Sequence, residues 1–173
     1  FKLTMTNFKN FKNSFLRYFP VILLYFLSFN SFENIKEFPN SNLFSFNLHM
    51  IIIYFYILKY PDYLGTGHIF LAGLIKDVVV GIPLGTSSLS FLVLCFFSSY
   101  VRNVTLRSRM TAEWFTFIPA LFFSNLIYFI IINNFSNLSF FYVELLRNTF
   151  FTFLFFPIFY YLFKFHQRRF KED

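Results

Sequence analysis

Few side chains in this sequence could do chemistry, and the one with a patterned neighbourhood is Asp77. It lies in the stretch Gly73-Leu-Ile-Lys-Asp77-Val-Val-Val-Gly81-Ile-Pro83-Leu84-Gly85. On a helix, Gly73, Asp77 and Gly81 share one face, because residues four apart stack above one another. A carboxyl there could relay a proton or an ion, or it could hold the turn that Gly81, Pro83 and Gly85 impose. A relay needs a second acid to continue it, and none is placed to do so; the structural role is favoured. In lipid an Asp costs about 2.5–3.5 kcal/mol at mid-membrane. Asp77 is therefore expected to face another helix or the interface, bonded to backbone N–H groups or a hydroxyl. The small residues on its face allow a neighbouring helix to approach closely. Thr86, Ser87 and Ser88 offer side-chain oxygens to cap the helix that follows.

The remaining candidates are weaker. Glu144 and Arg147 are three residues apart, within reach of an i,i+3 pair; they either neutralise each other or meet a partner helix inside the bilayer. His49 and His68 fall in different segments with no ligand-spaced Cys, His or Glu beside them, so no metal site is expected. Cys95, the only cysteine, sits in the apolar run 91–97 with no disulfide partner and no adjacent base. Ser87, Ser88, Ser90, Ser98 and Ser99 have no base at hand, which leaves no nucleophile. No phosphate-binding loop or dinucleotide fingerprint occurs. No catalytic residue and no cofactor are expected: the chain reads as a non-enzyme. Arg102, Arg107 and Arg109 form an accessible basic cluster that serves topology or touches anionic lipid or a cytoplasmic partner. Trp114, just after Glu113, is expected at the headgroups.

The elements that must position these residues are hydrophobic helices. The chain has 173 residues, 57% hydrophobic and 13% charged, against about 25% charged in a soluble domain. That leaves too little polar surface for a water-soluble globule, so lipid is the expected solvent. With roughly 20 apolar residues per span, the pattern predicts six transmembrane helices at about 14–32, 43–58, 62–81, 84–101, 112–132 and 141–163. They form one transmembrane domain covering residues 1–173, with basic ends at 1–13 and 164–173. Pro20 lies near the start of the first span and Tyr60-Pro61-Asp62 opens the third. The 33 phenylalanines accompany many Ile, Asn, Lys and Tyr and are read as nucleotide bias. Met5 is a plausible start residue.

Charge tests the count. With six spans, the head (Lys2, Lys9, Lys12, Arg17), Lys59, the 102–109 cluster and the tail (Lys164, Arg168, Arg169, Lys171) share one side. Lys36 alone, joined by Lys76 if it lies near its helix end, falls opposite. The positive-inside rule then places both termini in the cytoplasm. The net charge of +7 is explained by this bias and calls for no nucleic acid.

An Asp, three apolar residues, Gly, a spacer and Pro-Leu-Gly, preceded by Gly-Leu, resembles the signature of the MreD family. The basic head before Pro20, the Tyr60-Pro61-Asp62 opening, the length and the six-span plan resemble that family's layout as well. The resemblance implies a non-enzymatic scaffold of the cell-elongation machinery in the bacterial inner membrane. It implies work with MreC, and beside MreB, RodA and a penicillin-binding transpeptidase, and it leaves homodimerisation open. It also implies a fold similar to the substrate-binding membrane subunits of energy-coupling-factor vitamin transporters; such a subunit is the competing reading, and few polar residues are placed to line its pocket. An organelle-encoded respiratory or ATP-synthase subunit is a third reading, kept open by Glu144 and Arg147 alone.

Overall fold

A computed structural model of the chain describes residues 17–30, 46–104, 109–135 and 142–171. Among the described residues there are six α-helices: α1 (Arg17–Phe29), α2 (Leu48–Lys59), α3 (Thr66–Val80), α4 (Thr86–Val104), α5 (Met110–Phe135) and α6 (Tyr142–Lys171). A 3₁₀ turn over Pro61–Tyr63 joins α2 to α3, with Pro61 at its first position, where a missing N–H is harmless.

α2 is the axis of the bundle. Every residue from His49 to Ile57 is buried, as expected of a helix that is apolar all round. It packs against α4 and α6, and its Tyr54 and Phe55 meet Phe117, Phe156, Tyr160 and Phe163 of α5 and α6 in tilted and edge-on ring pairs. α4 packs on α2, α3 and α5, and α3 and α5 each bury one stripe. In α3 the stripe is Ile69, Ala72, Gly73, Lys76 and Asp77, the i, i+3, i+4, i+7, i+8 pattern of one helix face. In α5 it includes Glu113, Phe117, Ala120, Leu121 and Ser124. The opposite faces of α5 and α6 leave Phe115, Phe122, Leu146, Phe150, Leu154 and Ile158 exposed. A chain that turns large apolar side chains outward along whole helices is suited to a lipid surround.

Among the described residues, three helices are long and apolar enough to cross a membrane: α4, α5 and, within α6, Leu145–Arg168. α1 and α2 are shorter apolar helices, and α2, at 12 residues, rises only about 18 Å. Helix ends depart from the sequence expectations where turn chemistry or the basic tail intervenes. α3 begins at Thr66, because Pro61–Tyr63 and Gly65 occupy the preceding turn. α6 runs through the basic tail to Lys171, since Lys, Arg and Gln are good helix formers.

Candidate functional site

Asp77 joins α3 to α4 with both its backbone and its side chain. Its carbonyl accepts the N–H groups of Gly81 (2.9 Å) and Ile82 (3.1 Å), closing the end of α3. Gly81 adopts φ +73°, the left-handed conformation that ends helices and suits glycine. The carboxylate then accepts from the other side of the turn: Gly85 N–H donates to Oδ2 at 2.8 Å and Ser87 N–H to Oδ1 at 2.9 Å. These are donors at the start of α4, which have no partner within their own helix. The negative charge also complements the positive end of the α4 dipole. Between them, Pro83 has no N–H to continue a helix, and its carbonyl accepts Thr86 Oγ1 at 2.6 Å. Gly85 takes φ +97°. Leu84 is 70% exposed at the tip of the turn, while Asp77 and Thr86 are wholly buried.

Gly73 lets α3 and α4 touch. A Cβ there would lie 2.5 Å from Ser88 Cα and 2.6 Å from Ser88 N, so no side chain fits unless the helices part. Ser88 Oγ donates to the Phe70 carbonyl at 3.1 Å across the same seam. On another side of α4, Ser90 and Ser124 bond reciprocally to α5: Ser90 Oγ donates to the Ser124 carbonyl (3.0 Å) and Ser124 Oγ to the Ser90 carbonyl (2.7 Å). Ser88 and Ser90 thus stitch α4 to its neighbours, a use for which their sequence pattern gave no distinct signal, while Ser98 Oγ turns back to the Leu94 carbonyl of its own helix.

The opposite end of the bundle holds a contact that sequence reasoning missed. Glu113, 2% exposed, pairs with Lys59, tying the end of α2 to the start of α5. Tyr160 of α6 lies beside them, with Lys59 Nζ and Lys164 Nζ each 5.7 Å from its ring centroid. Lys59 and Glu113 are 54 positions apart in sequence, beyond the reach of any local spacing rule.

The other predicted positions divide. Arg102 donates from Nη1 to the Ile57 carbonyl at 3.2 Å, closing the end of α2 where a cation suits the dipole. Arg109 is exposed, and Arg107 lies outside the described residues. Arg147 is half-buried on α6; the side chain of Glu144 lies outside what is described, so the two are not shown as a pair. Trp114, half-buried near the start of α5, meets α6: its Nε1 donates to the Phe153 carbonyl at 2.9 Å, and its ring stacks on Phe153 at 5.0 Å. His49 and His68 do not meet. His49 lies 3.3 Å from Ser28 Oγ and His68 Nδ1 lies 3.1 Å from Tyr25 Oη. Cys95 is a buried free thiol. Among the described residues no group of His, Cys, Asp or Glu could hold a metal ion.

This arrangement can hold helices together: carboxylate, hydroxyls and indole all point at backbone groups of neighbouring helices. The family model described as rod shape-determining protein MreD matches residues 12–166 of the chain. No curated protein and no solved structure matches it.

Proposed function

The chain belongs to the MreD family of rod shape-determining proteins, and from that premise we propose that it is a non-enzymatic membrane scaffold of the bacterial cell-elongation complex. Its work is to hold MreC, and through it the RodA glycosyltransferase and a penicillin-binding transpeptidase, in one assembly beside MreB filaments. In this way it regulates peptidoglycan synthesis and cell shape. All six helices cross the inner membrane, with both termini in the cytoplasm.

The observation that carries this reading is the use made of Asp77. An acid in a transport path must exchange its proton or ligand. Both oxygens of Asp77 instead accept from the backbone at the start of α4, and nearby serines bond α4 to α3 and to α5. Such a bundle presents rigid outer faces, and the exposed apolar stripes of α5 and α6 are the surfaces on which a partner's transmembrane helix can lie. Arg109, exposed at the start of α5, lies on the side assigned to the cytoplasm, available to MreB or anionic lipid.

Co-isolation in mild detergent tests the proposal. The tagged chain is expected to recover MreC from a rod-shaped bacterial host, and Asp77→Ala to recover less while still inserting. Recovery of a transporter ATPase pair instead of MreC would overturn the scaffold and support the vitamin-transporter reading.

A further inference from the structure

Among the described residues, Lys76 is a buried cation with no carboxylate in an ion pair with it. It is 6% exposed, on the inward stripe of α3. Asp77 beside it is fully engaged by α4, and among the described residues no acid forms an ion pair with Lys76. Its ammonium instead lies 5.8 Å from the centroid of the Phe91 ring on α4. His49 of α2 stacks on the same ring at 5.5 Å and reaches Ser28 of α1 through Nε2. Ser87, one turn before Phe91 on α4, has a buried Oγ with no hydrogen-bond partner. Four helices therefore converge on a cluster of buried donors, the Lys76 ammonium, the His49 imidazole and the Ser87 hydroxyl, with the Asp77 carboxylate beside them held by the backbone of α4. A charge held this way inside a membrane bundle marks a functional site unless something neutralises it, and a ring face compensates a full charge only in part.

We propose that this Lys76–His49 site receives a phosphate oxyanion at headgroup depth, from an anionic lipid or from free phosphate. The inference rests on α3 spanning the membrane. Lys76 is one helical turn, about 6 Å, before the end of α3, where the turn at 81–85 meets the interface. Ammonium, imidazole and hydroxyl groups are the donors that suit a tetrahedral oxyanion. Basic sites between transmembrane helices hold lipid headgroups in this way. Leu71 and Val78, 49% and 67% exposed on the outer face of α3, offer apolar surface for an acyl chain.

The test uses the full chain in mild detergent, delipidated, then offered phosphatidylglycerol, phosphatidylcholine or inorganic phosphate. Bound lipid is read by native mass spectrometry and stability by thermal melting. Wild type is expected to retain phosphatidylglycerol over phosphatidylcholine and to be stabilised by it; stabilisation by inorganic phosphate alone would assign the free ion as the source. Lys76→Met is expected to lose both effects and, once delipidated, to melt about 5 °C above wild type, because an uncompensated charge is gone. Lys76→Arg keeps the cation and is expected to keep the preference. A wild type indifferent to all three additions would overturn the proposal whatever the variants do. So would unchanged lipid retention in Lys76→Met accompanied by loss of MreC, which would assign the cation to a partner's carboxylate. MreC recovery and insertion, read in the same preparations, separate failure of this site from failure of the scaffold reading.

Discussion

At the scale of the residue, Asp77 is the group on which the most geometry depends. Alanine there leaves the Gly85 and Ser87 N–H groups without their acceptors in a buried turn and removes a charge that the α4 dipole favours. The expected cost is about 2 kcal/mol, a fall of roughly 4–8 °C in the melting temperature of a chain this size. Asp77→Asn keeps a carbonyl oxygen that can serve one of the two donors, and should fall about halfway between. Thermal melts of the purified variants check both values, and an Asn variant as unstable as Ala would show that charge, not hydrogen bonding, holds the turn. The residues of this turn were legible in the sequence because the physics is local: glycines where φ must be positive, a proline where a helix must not continue, and a carboxyl four residues before the first glycine. Lys76, adjacent to the same motif, was not. One residue's step along a helix turns a side chain by about 100°, and only the packing reveals that α3 buries both.

At the scale of the element, α6 carries a defect that another helix repairs. Pro157 lies inside α6 and has no N–H, so the carbonyl of Phe153, four residues earlier, loses its helical donor. That carbonyl is the one to which Trp114 of α5 donates. Trp114→Phe should keep the stacking on Phe153 and lose the bond, at a cost of about 1–2 kcal/mol for a carbonyl left unsatisfied. In a Pro157→Ala background the helix supplies its own donor, and the same Trp114→Phe change should cost about 0.5 kcal/mol or less, a coupling readable by a double-mutant cycle. Equal costs in the two backgrounds would mean that the indole contributes packing alone. Neither half of this pairing is visible in sequence. Proline in an apolar run announces a free carbonyl but not who satisfies it, and Trp before a hydrophobic run reads as a headgroup anchor with no hint of which carbonyl its indole meets. The same limit hid the Ser90–Ser124 exchange and the Lys59–Glu113 pair: each joins elements whose adjacency is set by the whole bundle.

At the scale of the molecule, the tension lies between the six helices among the described residues and the three of them that are long enough to span on their own. A helix of 12 residues cannot cross about 30 Å of hydrocarbon alone, yet α2 does not have to meet lipid: it is enclosed by α4, α5 and α6, and its polar ends are met by protein at His49 and Ser28 on one side and by Arg102 on the other. Helix number was legible from hydrophobic runs; which helix is sheathed was not, since a run of Ile and Tyr reads the same against lipid as against protein. If all six helices cross, the Pro61–Tyr63 turn and the Gly81–Gly85 turn lie on opposite sides, with the first on the basic, cytoplasmic side. The lone thiol makes this testable, because Cys95→Ser gives a cysteine-free background. Asp62 and Leu84 are both exposed and can each be replaced by cysteine. Leu84→Cys should react with a membrane-impermeant maleimide in cells whose outer barrier alone is opened, and Asp62→Cys only after the inner membrane is permeabilised. Ile52→Cys, at a position with no exposure in the middle of α2, should resist the reagent from either side until the protein is unfolded. Labelling of positions 62 and 84 from the same side would remove α3 as a span and with it the six-helix crossing. Ready labelling at 52 would mean that α2 is lined by water, which a sheathed axis forbids and a substrate pocket requires.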